Sequence, residues 1–249
     1  MTAAPNLTQI EGDVFARRLA QRMKAPILLD NDSNVALLGE LRFGAGRGLT
    51  NAVMFTVGTG VGAGVMLDGQ IRRGAHGMVG EFGYLPVGPS GEVVEALLAG
   101  SGLVSRARAL GVPARSAADV LDPGGPTLLA PLRLQFDHAL LVALVAATVA
   151  YEPEAVIIGG RLATLIGPRL PDARKRLLEL VPAAPALLTG ELGDLSGALG
   201  ALAAGCQHVY HALGVSDADT PGLPGPVAVT AIRHQFAEAL VDVRQASSL

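Results

Sequence analysis

The run of residues 52–72 constrains the fold most, because it joins short apolar segments through tight turns. Ala52–Val57 and Gly64–Leu67 have the apolar composition of buried strands, and a glycine-rich stretch separates them. Asp68-Gly69 is a hairpin dipeptide that leads into a third segment, Gln70-Ile71-Arg72. Consecutive strands joined by such short turns are antiparallel. The chain therefore contains at least one antiparallel hairpin.

Helical periodicity surrounds this hairpin on both sides. The pattern predicts helices at Val14–Lys24, Val35–Leu41, Glu95–Leu110, much of Thr127–Ala150, Pro171–Leu180, Ala198–Leu213 and Val227–Arg244. Two more buried strands are predicted, at Ile27–Leu29 and Ala155–Ile158, and Pro182 and Pro185 are predicted to break the pattern. Strands interspersed with helices, with a hairpin among them, indicate an α/β fold with a mixed sheet.

Composition excludes several classes of protein. The formal charge is −3, from 19 basic and 22 acidic residues, which gives no electrostatic footprint for nucleic acid. Cys206 is the only cysteine, so an intrachain disulfide and a multi-cysteine zinc site are excluded. Residues 1–21 lack the continuous apolar core of a signal peptide, and the apolar stretch Ala139–Ala150 is too short to cross a bilayer. We expect a cytoplasmic protein with no membrane partner.

The glycine-rich turn has competing interpretations. No Gly-Lys-Ser/Thr follows it, which excludes a Walker A loop. Gly58, Gly60 and Ala63 fit a dinucleotide-binding fingerprint, but that motif requires a following helix, and residues 64–69 read as a strand and a turn. A phosphate-binding hairpin is possible, since glycines let the backbone approach an oxyanion and Thr59 adds a hydroxyl donor. A tight turn without a ligand explains the same residues.

Asn31 and Asp32 stand where a predicted strand gives way to a predicted helix. Ligand sites in open α/β sheets often lie at such strand ends. A carboxylate there can act as a general base that accepts a hydroxyl proton during phosphoryl transfer. Asp and Asn are also preferred helix caps, so a purely structural cap is the alternative.

Several short segments also follow one another in a fixed order: Leu29–Asn34 with Gly39-Glu40, Phe43–Gly48, Thr56–Gly62, Arg73–Gly77, Gly80–Gly83, Pro153–Gly160 and Ala198–Ala203. This order closely resembles the ROK family (repressors, open reading frames and kinases), over roughly residues 10–213. The resemblance implies an actin-like ATPase fold of ribonuclease H-like type, with two lobes and with sugar and ATP in the cleft between them. ATP and Mg²⁺ are the implied cofactors, and a homodimer is expected.

The resemblance also implies roles for individual residues. Asp32 takes the place of the catalytic base, and the sugar-binding positions are Asn31, Glu81, Tyr84 and Glu95. The nucleotide side is represented by two glycine motifs, namely Gly58, Thr59 and Gly60 in the hairpin and Gly159 with Gly160 further on.

The chain departs from the family pattern in two places. It contains no Asp-x-Gly-Gly-Thr segment, the family's first phosphate motif, so we expect the C-terminal lobe to be complete and most of the N-terminal lobe to be missing. Tyr84 occupies the position of a zinc-binding histidine, and Pro89–Val94 replaces the family's cysteine cluster, so no zinc is expected.

These expectations divide the chain into three parts. Residues 1–48 are read as a remnant of the N-terminal lobe, residues 49–213 as the C-terminal lobe, and residues 214–249 as a linker and helix of unknown role. The predicted function is ATP-dependent phosphorylation of a hexose, either glucose or an N-acetylhexosamine, with activity lost in this chain as an open possibility. The alternatives are the sugar-sensing domain of a ROK-type transcriptional regulator and an inactive remnant.

Overall fold

Helices and strands alternate through the part of the chain that the computed structural model describes, residues 13–25, 27–88 and 91–212. The helices are α1 Asp13–Met23, α2 Asp32–Phe43, α3 Val94–Leu98, α4 Gly100–Ala109, α5 Ala117–Leu121, α6 Ala130–Tyr151, α7 Ala163–Ile166, α8 Leu170–Leu180 and α9 Ser196–Ala212. The strands are β1 Ala52–Val57, β2 Val61–Leu67, β3 Gln70–Ile71, β4 Ala155–Gly159 and β5 Ala186–Thr189. Short 3₁₀ turns occur at Phe82–Tyr84, Thr127–Leu129, Gly167–Arg169 and Gly193–Leu195.

The five strands form one mixed sheet in the order β3-β2-β1-β4-β5. β1 pairs antiparallel with β2, so that Val57 lies opposite Val61, and it pairs parallel with β4, so that Thr56 lies opposite Gly159. The carboxyl ends of β1 and β4 therefore lie side by side. This arrangement confirms the predicted α/β fold with a mixed sheet.

Apolar clusters cover both faces of the sheet. Val53, Phe55 and Val57 belong to one cluster, whereas Ala52 and Met54 belong to the other. Successive side chains of a strand point to opposite faces, so a central strand buried on both sides is apolar at nearly every position. This explains why β1 reads as a continuous apolar run that only Thr56 interrupts.

Helices α2 and α9 cross at backbone contact beside this sheet. A Cβ atom added at Gly39 of α2 would lie 3.1 Å from the Gly200 nitrogen of α9, and one added at Gly200 would lie 2.7 Å from the Val35 carbonyl carbon. Distances below 3.0 Å essentially never occur for real Cβ atoms. Two facing glycines thus permit the close approach that sets the position of α2, the helix that begins at Asp32.

Helix α6 and the 3₁₀ turn before it form the longest helical segment of the described residues. The segment Thr127–Tyr151 is long and apolar enough to cross a membrane by length and composition alone, so the prediction that the apolar stretch is too short was based on too narrow a window. However, its side chains Phe136, Leu140 and Leu144 are fully buried in the core, and α6 packs against α3 and α8. The segment is accounted for as a core helix.

Several predicted elements differ from the observed ones. Ile27–Leu29 is not a strand: it has no regular secondary structure and no strand partner within the described residues, and Leu28 and Leu29 are 52% and 57% exposed. A short apolar run predicts a strand only if neighbouring strands cover it. Strand β5 is not evident from the sequence, because it has four residues and follows Pro185, which an edge strand tolerates.

The predicted helix Glu95–Leu110 is two helices. Ala99 has an extended backbone conformation, with φ −66° and ψ 136°, and is both the C-cap residue of α3 and the N-cap residue of α4. The break lets the Gly100 N–H donate to the Gly58 carbonyl at 2.8 Å. The predicted helix Val227–Arg244 lies outside the described residues.

Candidate functional site

Asn31 and Asp32 form the N-terminus of α2. The Asn31 side chain is the N-cap, and its Oδ1 accepts the backbone N–H groups of Ser33 at 2.9 Å and Asn34 at 3.4 Å. Asp32 is the first helical residue, it is exposed, and its Oδ1 accepts the Ser33 N–H at 2.8 Å. The cap is therefore real, and it leaves the Asp32 carboxylate at the surface of a helix N-terminus.

The glycine turn is a three-residue hairpin loop. Gly58, Thr59 and Gly60 connect the paired residues Val57 and Val61, and the Gly58 N–H donates to the Gly60 carbonyl at 3.0 Å. Helix α4 holds this loop from one side, because the Ser101 hydroxyl donates to the Thr59 carbonyl at 2.8 Å, beside the Gly100 bond to Gly58. Two carbonyl oxygens of the loop are thus engaged with α4. No sequence pattern indicates this role for Ser101.

The other glycines of the run serve a different purpose. Gly62 and Gly64 lie within β2, where added Cβ atoms would collide with the Ser33 side chain and approach the Ser33 carbonyl oxygen at 2.7 Å. The hydroxyls of Ser33 and Thr56 are 2.6 Å apart and hydrogen bonded. These glycines therefore let the N-terminus of α2 lie directly on the hairpin, which brings Asp32 close to the glycine turn.

The carboxyl group of Glu81 lies within electrostatic reach of two other carboxylates, and one of these, that of Glu95, lies beside the turn. Burial is the largest cause that raises the pKa of Glu81, and the negative charges of Glu95 and Asp32 raise it further. Glu95 also lies against the turn. A Cβ atom added at Gly60 would lie 3.1 Å from Glu95 Oε1, and one added at Gly83 would lie 3.2 Å from Glu95 Oε2. Clustered carboxylates repel one another, and hydroxyl donors from a bound ligand would relieve that repulsion.

The second glycine motif meets the first at the carboxyl ends of the parallel strands. Gly160 has φ +81°, and a Cβ atom there would lie 2.5 Å from the Val57 carbonyl oxygen and 2.7 Å from the Val57 nitrogen. The Leu162 N–H then donates to the same Val57 carbonyl at 2.9 Å. Only glycine suits a left-handed conformation this close to another backbone. The structure thus brings Gly159 and Gly160 next to the turn at Gly58.

A cleft of about 630 Å³ opens between these motifs and α4. Its lining includes Gly58 and Thr59 but no carboxylate, and it contains three arginines, Arg108, Arg115 and Arg161, together with the hydroxyl-bearing residues Ser101, Ser105 and Ser116. Cationic and hydroxyl donors around a glycine turn suit a phosphate-bearing ligand. Sequence reasoning does not identify the arginines, because they come from separate segments without a shared motif.

Tyr84 and Glu40 differ from the other polar residues of this region in their exposure. Tyr84 ends the 3₁₀ turn after Glu81 and is 69% exposed, and within the described residues the structure gives no link between its hydroxyl and the three carboxylates.

Glu40 is buried, at 1% exposure, and its carboxylate accepts backbone N–H groups from Ala45, Glu191 and Leu192 at 2.9–3.1 Å. It ties the end of α2 to the loop before α9. A glutamate that follows the apolar run Val35–Gly39 of α2 is the signal that the sequence offers.

No group of three or more His, Cys, Asp or Glu side chains is arranged to hold a metal ion anywhere in residues 13–25, 27–88 and 91–212. The three carboxylates beside the turn therefore form a polar site without metal-ligand geometry.

Solved structures share this architecture. A ROK hexokinase from Thermus thermophilus superposes with a TM-score of 0.70 at 31% identity, and the match covers 79% of this chain and 70% of that one. A ROK family glucokinase from Streptomyces griseus, solved in complex with glucose and AMPPNP, gives a TM-score of 0.63 at 27% identity over 75% of this chain and 70% of that one. The sheet and its helices are thus those of an actin-like ATPase fold of the sugar-kinase type.

The sequence comparison narrows this class to one family. The ROK family model matches residues 1–207, so the chain belongs to the ROK family. A glucokinase of Halalkalibacterium halodurans is 46% identical over 74 residues, which is 30% of this chain and 22% of that protein. Four curated relatives are matched over only 22% to 36% of their own length. These matches establish the family of the chain, and they cover too little of each relative to establish the activity of the whole protein.

Proposed function

We propose that this chain carries the sugar and nucleotide sites of an ATP-dependent hexose kinase. One observation supports the proposal above the others: Glu81 lies within electrostatic reach of the carboxylates of Asp32 and Glu95, and Glu95 lies against Gly60 of the glycine turn. A kinase needs a base and hydroxyl-binding groups within reach of a phosphate-binding loop. The electrostatic effect of Asp32 on Glu81 spans 49 residues of sequence, and it supports the assignment of these carboxylates to one site.

On the sugar side, we assign binding to Asn31, Glu81 and Glu95, with Tyr84 as a peripheral donor. Carboxylate oxygens accept hydroxyl protons, and an amide can both donate and accept, so this set can hold a polyol in one orientation. Asp32 is assigned as the general base, because it is exposed at a helix N-terminus within the electrostatic reach of Glu81. It would accept the proton of the reacting hydroxyl.

On the nucleotide side, the cleft of about 630 Å³ fits a phosphate-bearing ligand, since arginines and hydroxyls line it and carboxylates do not. Bound nucleotide with Mg²⁺ on its phosphates would supply the phosphoryl group that the sugar hydroxyl receives. We assign phosphate contact to Gly58, Thr59 and Gly60, and we assign the nucleoside side to Gly159 and Gly160. The Streptomyces griseus glucokinase complex supports sugar and nucleotide as the two ligands.

The test is calorimetric binding of glucose, N-acetylglucosamine, N-acetylmannosamine and Mg-ADP to the purified chain, alongside sugar-dependent ADP release from Mg-ATP. Turnover supports the kinase in full. Sugar and nucleotide binding without turnover supports both sites but indicates that this chain needs the Asp-x-Gly-Gly-Thr segment, which it does not contain. Sugar binding without nucleotide binding would favour a sugar sensor, and the absence of both refutes the proposal.

Two wider expectations belong to the same proposal. We expect the chain to act in the cytoplasm, as a small-molecule kinase that uses intracellular nucleotide as the phosphoryl donor. We also expect a homodimer. Leu134 and Val149 on α6 are large apolar side chains exposed in the single chain, and such an interface would bury them. Sedimentation of the purified chain tests the dimer, and a concentration-independent monomer would contradict it.

A further inference from the structure

One side-chain contact joins the segment that carries Asn31 to the loop that leads to Glu81. Arg73 donates through Nε to Asp30 Oδ1 at 3.2 Å, and its Nη2 contacts Asp30 Oδ2, so the guanidinium grips both carboxylate oxygens. A bidentate pair of this kind fixes orientation as well as distance. Because Arg73 and Asp30 are 43 residues apart, the contact links two separate segments of the fold.

Asp30 is also the local anchor for the residues after it. Its Oδ1 accepts the Asn31 backbone N–H at 2.9 Å and the Asn34 side-chain amide at 3.1 Å. Burial alone would raise the pKa of Asp30, but the hydrogen bonds from Arg73, Asn34 and Asn31 together hold it below its ordinary value. The carboxylate is therefore charged at neutral pH and bonded on both oxygens.

The two joined segments are anchored to the rest of the fold in different ways. Residues 27–31 have no regular secondary structure and no strand partner among the described residues. The loop after β3 is fixed to β2 at its two ends, through the Arg72 N–H bonded to the Val65 carbonyl at 2.8 Å and through Gly80, which has φ +91° and lies against the Ala63 carbonyl. Between those points, Arg73 reaches across to Asp30.

We propose that Arg73 and Asp30 form a positioning pair that sets the separation between Asn31 and Asp32 on one wall of the sugar site and Glu81 on the other. The proposal rests on the proposed sugar site and adds two residues to it that contact no substrate. A sugar ring needs both walls at fixed spacing to bond several hydroxyls at once. Loss of the pair lets the walls drift, and small misplacements of such groups are costly to binding and catalysis.

The primary test is calorimetric titration of the purified chain with glucose and, separately, with Mg-ADP. Arg73→Ala and Asp30→Asn should each weaken glucose binding about tenfold or more and leave Mg-ADP binding within about twofold. Asp30→Asn keeps an acceptor for the Asn31 N–H, so it removes the charge without removing the local anchor. The double variant should bind glucose no more weakly than whichever single variant binds it less tightly, because both substitutions break the same contact.

Arg72→Ala is the matched control, since Arg72 is the neighbouring arginine and its ion pair with Asp68 stays within the hairpin. If Arg73→Ala matches Arg72→Ala in glucose affinity, the proposal is overturned. Equal losses of glucose and Mg-ADP affinity would also overturn it, because they would indicate a general structural role.

Hydrogen exchange measured by mass spectrometry separates this proposal from the proposed function. Arg73→Ala should raise exchange in peptides that cover residues 27–34 and 72–81 together, and Arg72→Ala should leave residues 27–34 unchanged. If the parent chain binds no sugar, the proposed function fails, and joint loss of protection still supports the link between the two walls. Unchanged exchange in residues 27–34 refutes the link, whatever the binding result.

Discussion

Replacing Gly200 by alanine tests whether backbone contact between α2 and α9 sets the position of the candidate sugar site. The added Cβ atom would overlap the Val35 carbonyl oxygen and lie 2.7 Å from its carbon and 3.0 Å from the Gly39 nitrogen. All three atoms are backbone, so a side-chain rotation cannot relieve the overlap. The helices must move apart instead.

The size of the effect follows from two opposing contributions. Ordinary van der Waals contact begins at 3.4 Å, so the contact with the Val35 carbonyl carbon alone requires a separation of roughly 0.7 Å, and the closer overlap with the carbonyl oxygen requires more. A gap of this size forfeits at least a quarter to a half of the dispersion energy of each atom pair that moves apart, which places the cost at the upper end of the usual range. Overpacking of this kind costs about 3 kcal/mol at the upper end of its range, and alanine returns about 1 kcal/mol through its better helix propensity. We expect a net loss of about 2 kcal/mol in the free energy of unfolding.

Gly205 provides the matched control in the same helix, because a Cβ atom there meets nothing within 4 Å. Gly205→Ala should stabilise the chain by about 1 kcal/mol, so the two variants should differ by about 3 kcal/mol. For a chain of this size that difference is roughly 6–12 °C in the midpoint of thermal unfolding. If Gly200→Ala proves as stable as Gly205→Ala, the close crossing of α2 and α9 does not exist as described.

The remaining predictions concern carboxylates. Asp32→Asn should lower any sugar-dependent ADP release by about 10²-fold or more and change glucose affinity little, and unchanged turnover would remove Asp32 as the base. Glu81→Gln should weaken glucose binding yet raise the unfolding temperature at pH 7, because the raised pKa of Glu81 means that its charged form is disfavoured in the folded state. That penalty develops as pH rises from the unfolded pKa through the folded pKa, so the stability gain should vanish below about pH 4. A gain that persists at low pH would contradict the electrostatic explanation. Glu40→Gln should lower the free energy of unfolding by about 2 kcal/mol, since an amide cannot accept all three backbone N–H groups equally well, and urea denaturation measures it. An unchanged urea midpoint would show that these bonds contribute no net stability.

Much of the fold can be predicted from the sequence, because its central elements carry strong local signals. The apolar run of β1 predicts a strand with the observed bounds, Ala52–Val57. Asn31 is predicted as a cap because amides favour that position, and its side chain indeed accepts two backbone N–H groups of the first turn. These predictions need no knowledge of distant residues.

The failures concern features that depend on distant partners. Ile27–Leu29 has strand-like composition, but a strand also needs a neighbour to bond, and local composition does not reveal one. Nothing in the sequence links Arg73 to Asp30, and only the fold shows that the two side chains are hydrogen bonded. Glu40 likewise gains its role from Glu191 and Leu192, which lie more than 150 residues away. Partners at this separation leave no pattern in a single sequence.

The end of β1 explains how one fold can bring the proposed sugar site and the proposed phosphate site into register. The Thr56 hydroxyl bonds Ser33, which holds the N-terminus of α2 and therefore Asp32. One residue further on, Val57 receives the Leu162 N–H and lies against Gly160, and the glycine turn follows at once. Two consecutive residues of a central strand thus support the proposed base on one side and the proposed phosphate-binding motifs on the other. Their relative position is fixed by strand geometry, with no mobile loop between them, which is what in-line transfer between two bound ligands requires.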